Sequence, residues 1–305
     1  VKREPARNIL SARQAGSLRY IFGGITRAPW RTTPHENRPR RRSFFRFENE
    51  DNNEDEDDFQ ERNKMPQLTE KDAALFAKLS SVAIDTIWSV LNGLGYPDTF
   101  IEGLKPVHAD LDRKMVGRAV TLRYLPMRKD LAERIRAENP YALNARAAEE
   151  AQPGTVMVVD CGGEIGAGFL GDVVATRFQV AGGVGLVVDG AIRDLAQVRH
   201  IDLSVYVRGT HPGASQRRII GVDYNIPVRC GGVAVLPGDI LVGDAEGVIV
   251  IPAPLAEAVA DQAVAMEDKE NFLREKLLKG SSIYGVYPPS AETLREYEEW
   301  RGGRD

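Results

Sequence analysis

The chain is poor in the residues that build disulfide scaffolds and soft-metal sites. Only two cysteines, Cys161 and Cys230, occur in 305 residues, each after an apolar run, with no CxxC and no histidine at ligand spacing. A buried, reduced pair is expected, as suits a reducing compartment. Nor does any apolar stretch approach the roughly 18 residues a membrane-spanning helix needs, so the chain reads as soluble, cytoplasmic and without a membrane partner.

What is present is ordinary for a globular protein: 43% hydrophobic residues, 28% charged and 29 glycines, enough for at least one substantial core. The net charge of -4 hides an asymmetry. Residues 1–46 hold twelve Lys/Arg against Glu4 and Glu36, while 47–58 hold eight acids and no base. With no sustained apolar period, 1–64 is expected to be a disordered basic-then-acidic extension. Three readings stay open for it: a solvated tail, an Arg-rich organelle-targeting segment, or upstream sequence translated ahead of Met65. A basic arm can hold phosphates, but no nucleic-acid-binding motif accompanies it, so nucleic acid is not expected as a partner.

The main domain is expected over 65–280, with a tail over 281–305. Thr69 and Asp72 fit a capping box ahead of Ala73, Leu75, Phe76 and Leu79. A second helix is predicted over 82–94, its apolar face formed by Ile84, Ile87, Trp88, Leu91 and Leu94, with Gly95 as its stop. A strand over 116–125 and a helical stretch over 130–150, broken at Pro140, come next. Short Val/Ile-rich strands are predicted over 155–160, 185–189, 205–207, 233–236 and 247–251, then a long charged helix over 255–278 ending at Gly280.

The segment from Thr155 to Asp189 reads strand, glycine-rich turn, helix, strand. In such a βαβ unit the strands lie parallel, so their C-terminal ends share one edge of the sheet. That edge is where α/β sheets place ligands, and it receives Gly171, Asp172, Val173 and Val174 from the helix start together with Arg193 and Asp194 from beyond the second strand. Unpaired N–H groups from Gly171 to Val174 favour an anion. Arg193 offers a planar fork suited to a carboxylate and its neighbouring keto oxygen. Asp194 is a hard oxygen ligand, appropriate to Mg²⁺ or Mn²⁺ with retained waters rather than to Zn²⁺.

The spacing from Asp172 to Arg193-Asp194 within GDVVATRFQVAGGVGLVVDGAIRD resembles the signature of the RraA-like family, which includes class II 4-hydroxy-4-methyl-2-oxoglutarate aldolases, oxaloacetate decarboxylases and the regulator of ribonuclease activity. VGRAVTLRYLP, PGTVMVVD and PGDILVGDAEGVIVIP extend the likeness over about 68–251. The resemblance implies an α/β fold, an α-β-β-α sandwich with mixed sheets of the swivelling β/β/α type. It implies cleavage or decarboxylation of a small 2-oxo acid to pyruvate, with substrate held by the Gly171 to Val174 backbone and Arg193. Asp172 and Arg193 would be the catalytic pair, Asp194 would bind Mg²⁺ or Mn²⁺, and Asp172 would act through water. A homotrimer or dimer of trimers is also implied, with Glu267 or Glu270 of a neighbouring subunit approaching the metal.

Other readings compete. A non-catalytic regulator that binds a ribonuclease would share the fold. A Schiff-base aldolase needs a pocket lysine; 151–260 contains none, leaving Lys105, Lys114, Lys129 or Lys269 to fold inward. A nucleotide-binding protein is weakly suggested by Gly162 to Gly168, whose spacing is not G-x-G-x-x-G. Asp189 is expected to shape an Asp-Gly turn, and Asp239, Asp244 and Glu246 to sit in hairpin turns. Glu164 is open between ligand contact and solvation. His200 and His211 are expected at the surface or in packing.

Overall fold

In the computed structural model of the chain, residues 68–108, 110 and 112–303 are described; the predicted extension 1–64 and Met65 lie outside them. Helix α1 (Glu70–Ser80) begins at the predicted capping box: the Asp72 N–H donates to Thr69 Oγ1 at 3.1 Å, and the Thr69 N–H donates back to Asp72 Oδ2 at 3.0 Å. Helix α2 (Ile84–Gly93) buries Ile84, Ile87, Val90 and Leu91. Trp88 and Leu94, expected on that face, are instead 40% and 41% exposed. The indole N–H needs a polar partner and finds the Pro97 carbonyl at 3.1 Å, outside the core.

The sheet is built from β1 (Lys105–Pro106), β2 (Met115–Pro126), β3 (Thr155–Gly168), β4 (Gly183–Ile192), β5 (Ser204–Thr210), β6 (Ile219–Tyr224), β9 (Ile240–Gly243) and β10 (Val248–Ile251). Its order is β1-β5-β4-β3-β2-β9-β10, with β6 paired to the far part of β2. Pairs β2/β3, β3/β4 and β4/β5 are parallel; the rest are antiparallel. A hairpin of β7 (Val228–Cys230) and β8 (Val233–Val235) forms a second, two-stranded sheet. Strands β1, β6, β7 and β9 are too short, or too interrupted by polar residues, to show a period in the sequence.

Alternation along the parallel strands separates two cores. One face turns Leu122, Met157, Val159, Leu186, Val188 and Val205 toward α4 (Leu143–Glu149) and α5 (Asp172–Val180), with Phe169 and Phe178 among them. The other turns Ala119, Val156, Val158, Val187 and Tyr206 toward β7, β8 and the inner residues Leu241, Val248 and Val250 of β9 and β10. The outer residues of β9 and β10, Ile240, Val242, Ile249 and Ile251, pack under α1, α2 and α7 (Ala256–Leu278). Helices thus cover both outsides of two β layers, the α/β arrangement expected. Helix α3 (Lys129–Glu138) and α4 are separated at Pro140, as predicted. Among the described residues no single helix is long and apolar enough to cross a membrane.

Three expectations are corrected. First, β3 does not stop at Asp160; it runs on to Gly168 through register shifts, with Gly162 and Gly163 at φ 62° and 78°. The glycine-rich stretch is a bulged strand end, since glycine accepts the positive φ that such bulges require. Secondly, Asp189 is not in a turn but buried in β4 between two parallel neighbours, which overrides the local Asp-Gly preference. It belongs to a row of charges crossing adjacent strands in register: Arg123, Asp160 and Asp189, then Arg208 just beyond the Val188 to Val207 pair. Asp189 pairs with Arg208 and accepts the Gly231 N–H at 3.1 Å, Asp160 accepts the Arg229 N–H at 3.3 Å, and Arg123 donates to the Pro227 carbonyl. The row therefore pins the β7 hairpin by its backbone. Thirdly, the tail forms a helix, α8 (Ala291–Gly302), in which Tyr297 and Trp300 pack on Phe272 of α7 with centroids 5.7 and 5.5 Å away.

Candidate active site

The C-terminal ends of β3, β4 and β5 are laced together beyond their regular pairing. The Phe169 N–H donates to Ala191 O at 2.6 Å and the Arg193 N–H to Leu170 O at 3.0 Å; the Gly168 N–H reaches Gly213 O at 2.7 Å and the His211 N–H reaches Ile192 O at 2.8 Å. Three segments distant in sequence become one rigid platform. On it, helix α5 starts after Gly171, an N-cap with no side chain to offer the orphan donors. Phe178 anchors the helix in the core, fully buried beneath Gly183.

Asp172, Val173, Val174 and Arg193 line one cavity of about 200 Å³. Asp194 sits beside it: a Cβ on Gly171 would collide with the Asp194 carboxylate and lie 2.9 Å from Arg193 Nε. Gly168 is equally close-packed, since a Cβ there would meet Arg193 N and Cβ at 2.9 Å. These two glycines are therefore needed for the close approach of the β3 and β4 ends. Arg193 Nε donates to Asp194 Oδ2 at 3.0 Å, and both side chains are partly exposed, at 41% and 32%. Asp194, the N-cap of α6 (Leu195–Val198), adopts φ 55°, ψ 39°, a left-handed conformation uncommon outside glycine, which aspartate tolerates better than most residues. Such strain held by surrounding structure is typical of functional positions.

The expected anion site is partly self-occupied. Asp172 Oδ1 accepts the Val173 N–H at 2.9 Å, so an anion at this helix start would rely on the donors of Asp172 and Val174. A metal bound here would draw on the carboxylates of Asp194 and Asp172. Among the described residues no group of three or more His, Cys, Asp or Glu is placed to hold an ion. Two carboxylates are too few for Zn²⁺ but fit Mg²⁺ or Mn²⁺, which retain several waters. Glu267 accepts a hydrogen bond from Thr86 Oγ1 at 3.0 Å in its own chain, and neither it nor Glu270 lines the cavity.

Other candidates take structural roles. Glu164 accepts the Gly166 N–H at 2.5 Å and pairs with Arg218 at 3.8 Å, holding the β3 bulge. His211 Nδ1 accepts the Gly213 N–H at 2.9 Å, and His200 is exposed. Asp244 closes the β9–β10 turn, where it accepts the Glu246 N–H at 2.9 Å and pairs with Lys114 at 2.8 Å. Asp239 accepts the Leu236 N–H at 2.9 Å in its turn, and burial raises its carboxyl above the usual range. None of Lys105, Lys114, Lys129 and Lys269 lines the Arg193 cavity. Both cysteines are buried and free, and burial pushes both thiols up, away from nucleophilic use. Asn144, Ser215 and Gln216 also line the cavity, and nothing in their local sequence marks them.

A larger cavity of about 750 Å³ lies between α2 and the β7–β8 turn. Asp85, Asp98, Glu102 and Glu246 line it without a cationic side chain, so it disfavours an anionic ligand.

The chain belongs to the RraA-like family, whose profile, described as Aldolase/RraA, matches residues 83–250. It is 42% identical over 118 residues to a Halalkalibacterium halodurans protein named "Putative 4-hydroxy-4-methyl-2-oxoglutarate aldolase", covering 39% of this chain and 56% of that protein. An Azotobacter vinelandii protein of the same name is 45% identical over 102 residues, 33% of this chain and 62% of its own length. The chain thus spans about three fifths of the curated relatives it matches. Among solved structures, Streptomyces coelicolor RraAS2, described as an unusual member of the RNase ES inhibitor RraA protein family, is 35% identical with a TM-score of 0.60, covering 68% of this chain and 98% of that one. An uncharacterised Pseudomonas syringae protein shares the fold at a TM-score of 0.63 and 22% identity.

Proposed function

We propose that the chain is a divalent-metal-dependent lyase that cleaves or decarboxylates a small 2-oxo acid, of the 4-hydroxy-4-methyl-2-oxoglutarate or oxaloacetate type, to pyruvate. The observation that carries this is the convergence of Arg193, Asp172 and the start of α5 on one small cavity, with the Asp194 carboxylate against Gly171 beside it. Arg193 and the α5 N–H groups hold the carboxylate and the adjacent keto oxygen, fixing the acid for C–C cleavage. Asp194, with Asp172 through water, would hold Mg²⁺ or Mn²⁺, whose chemistry there would be electron withdrawal from the bound acid. The Arg193 to Asp194 hydrogen bond keeps the guanidinium in place as negative charge develops on the keto oxygen.

Assembly as a trimer or dimer of trimers belongs to the same proposal, with Glu267 or Glu270 approaching from a neighbour. Arg193→Ala and Asp194→Ala should each abolish pyruvate release while the protein stays folded. Substantial turnover by purified Asp194→Ala would sink the proposed metal site.

The likeness to RraAS2 favours a second reading, a protein-binding regulator of a ribonuclease on the same fold. Chelation separates the two. An enzyme loses oxaloacetate decarboxylation and regains it with Mg²⁺, whereas a regulator binds its partner either way.

A further inference from the structure

Phe169, Leu170 and Gly171 connect the end of β3 to the first turn of α5. Phe169 and Leu170 are buried, so their backbone polar groups must be paired inside the protein. The sheet supplies two of the partners: the Phe169 N–H donates to Ala191 O at 2.6 Å, and Leu170 O accepts the Arg193 N–H at 3.0 Å. Phe169 O is served from outside the sheet, by Asn144 Nδ2 of α4 at 3.0 Å. Because that partner is a carbonyl, only the NH₂ side of the amide can meet it, which fixes how the side chain is turned. Edge-on packing against Tyr124, with ring centroids 5.1 Å apart, locks the Phe169 side chain as well.

Asn144 also lines the Arg193 cavity. At the other end of α4, Glu149 forms a two-pronged pair with Arg177 of α5, at 2.7 and 3.0 Å. Helix α4 is thus tied to the connector at its first turn and to α5 at its last. The first of these ties lies one peptide from Leu170 O, which holds the Arg193 backbone, and two residues from Gly171, against which Asp194 packs.

We propose that Asn144 is a positioning residue for the active site: by holding the Phe169 carbonyl it sets the connector, and through the connector the backbone of Arg193 and the start of α5. The proposal rests on the head-group reading above. Asn144 has its donor committed to the protein backbone, so its part is to keep Arg193 aligned rather than to bind the acid. Removing the amide leaves a buried carbonyl without its donor and frees the connector to relax. Alignment matters most where charge is being redistributed, so the loss falls more heavily on the transition state than on the bound acid.

The test is calorimetric binding of two anions to the full chain at fixed Mg²⁺, in wild type, Asn144→Ala and Asn144→Leu. Oxalate, with its coplanar oxygens, mimics the enolate of pyruvate, and pyruvate itself mimics the ground state. Both substitutions suit a helix, and leucine fills the lost volume without offering a donor, so the two variants separate hydrogen bonding from packing. Both are expected to lose about tenfold in affinity for oxalate and to keep pyruvate within about twofold. In oxaloacetate decarboxylation kcat should fall about tenfold with KM within about twofold. A role confined to bracing the fold would leave the ratio of oxalate to pyruvate affinity unchanged. An unchanged ratio in both variants, or a wild-type ratio restored by leucine, overturns the proposal while leaving the head-group site standing. Failure of wild type to bind either anion, with Arg193→Ala indistinguishable from it, overturns the head-group site and this inference together.

Discussion

Gly171→Ala isolates the close approach on which the site depends. The backbone there, at φ −117° and ψ −171°, is extended and open to any residue, so the substitution introduces no backbone strain. What changes is space. The new methyl occupies the position of the Asp194 carboxylate and lies 2.9 Å from Arg193 Nε. Ordinary van der Waals contact then requires the carboxylate to retreat by roughly 1 Å or more, a displacement of the size that can cost about a hundredfold in rate. A hundredfold fall in kcat/KM corresponds to about 2.7 kcal/mol of transition-state stabilisation. Stability should move much less, because replacing glycine by alanine at a helix N-cap costs about 1 kcal/mol at most, or roughly 2–4 °C in Tm for a domain of this size. A coupled assay following pyruvate from oxaloacetate, run beside a thermal melt, reads both quantities. A Gly171→Ala protein with kcat/KM within about threefold of wild type would show that the Asp194 position does not govern the chemistry.

Other outcomes test the scaffold. Arg118 and Thr69 hold the Asp72 carboxyl below its ordinary value of 3.8 despite the opposing effect of burial. The stability this gives is present in full above pH ~4 and is lost as pH falls through the depressed pKa. The Tm gap between wild type and Asp72→Asn should therefore be wide at neutral pH and close in acid, and a gap that stays constant into strong acid would contradict the ion pair. Asp189→Asn removes the charge that pairs the partly exposed Arg208 guanidinium, and should cost about 1–2 kcal/mol in denaturant unfolding. A loss under about 0.5 kcal/mol would remove the row from the account of how the β7 hairpin is held. Phe178→Ala opens a cavity beneath α5 and should destabilise by about 3–5 kcal/mol; an unchanged midpoint would mean that α5 is held by something else.

Legibility followed the range of the interactions. The capping box at Thr69 and Asp72, the break at Pro140 and the end of α7 before Gly280 are local events, and local residues announce them. The βαβ unit was legible too, because right-handed crossover between parallel strands leaves little choice about where Asp172 and Arg193 emerge. Trp88 misled because its ring fits an apolar stripe while its N–H does not, and only a carbonyl supplied by Pro97 resolves the conflict. Asp189-Gly190 misled because dipeptide preference describes an isolated turn, whereas parallel neighbours on both sides demand strand.

The sequence by itself determined helices α1, α2, α5 and α7, the parallel unit and the residues carrying charge to one edge of its sheet, since periodicity, caps and crossover handedness are properties of contiguous chain. Only the tertiary structure decided that Arg123, Asp160, Asp189 and Arg208 form one row, that Gly171 must be bare for Asp194 to approach, and that Ser215 and Gln216 join the cavity wall. Register between strands and the packing of one loop on another depend on the whole sheet at once, and no window of sequence contains them.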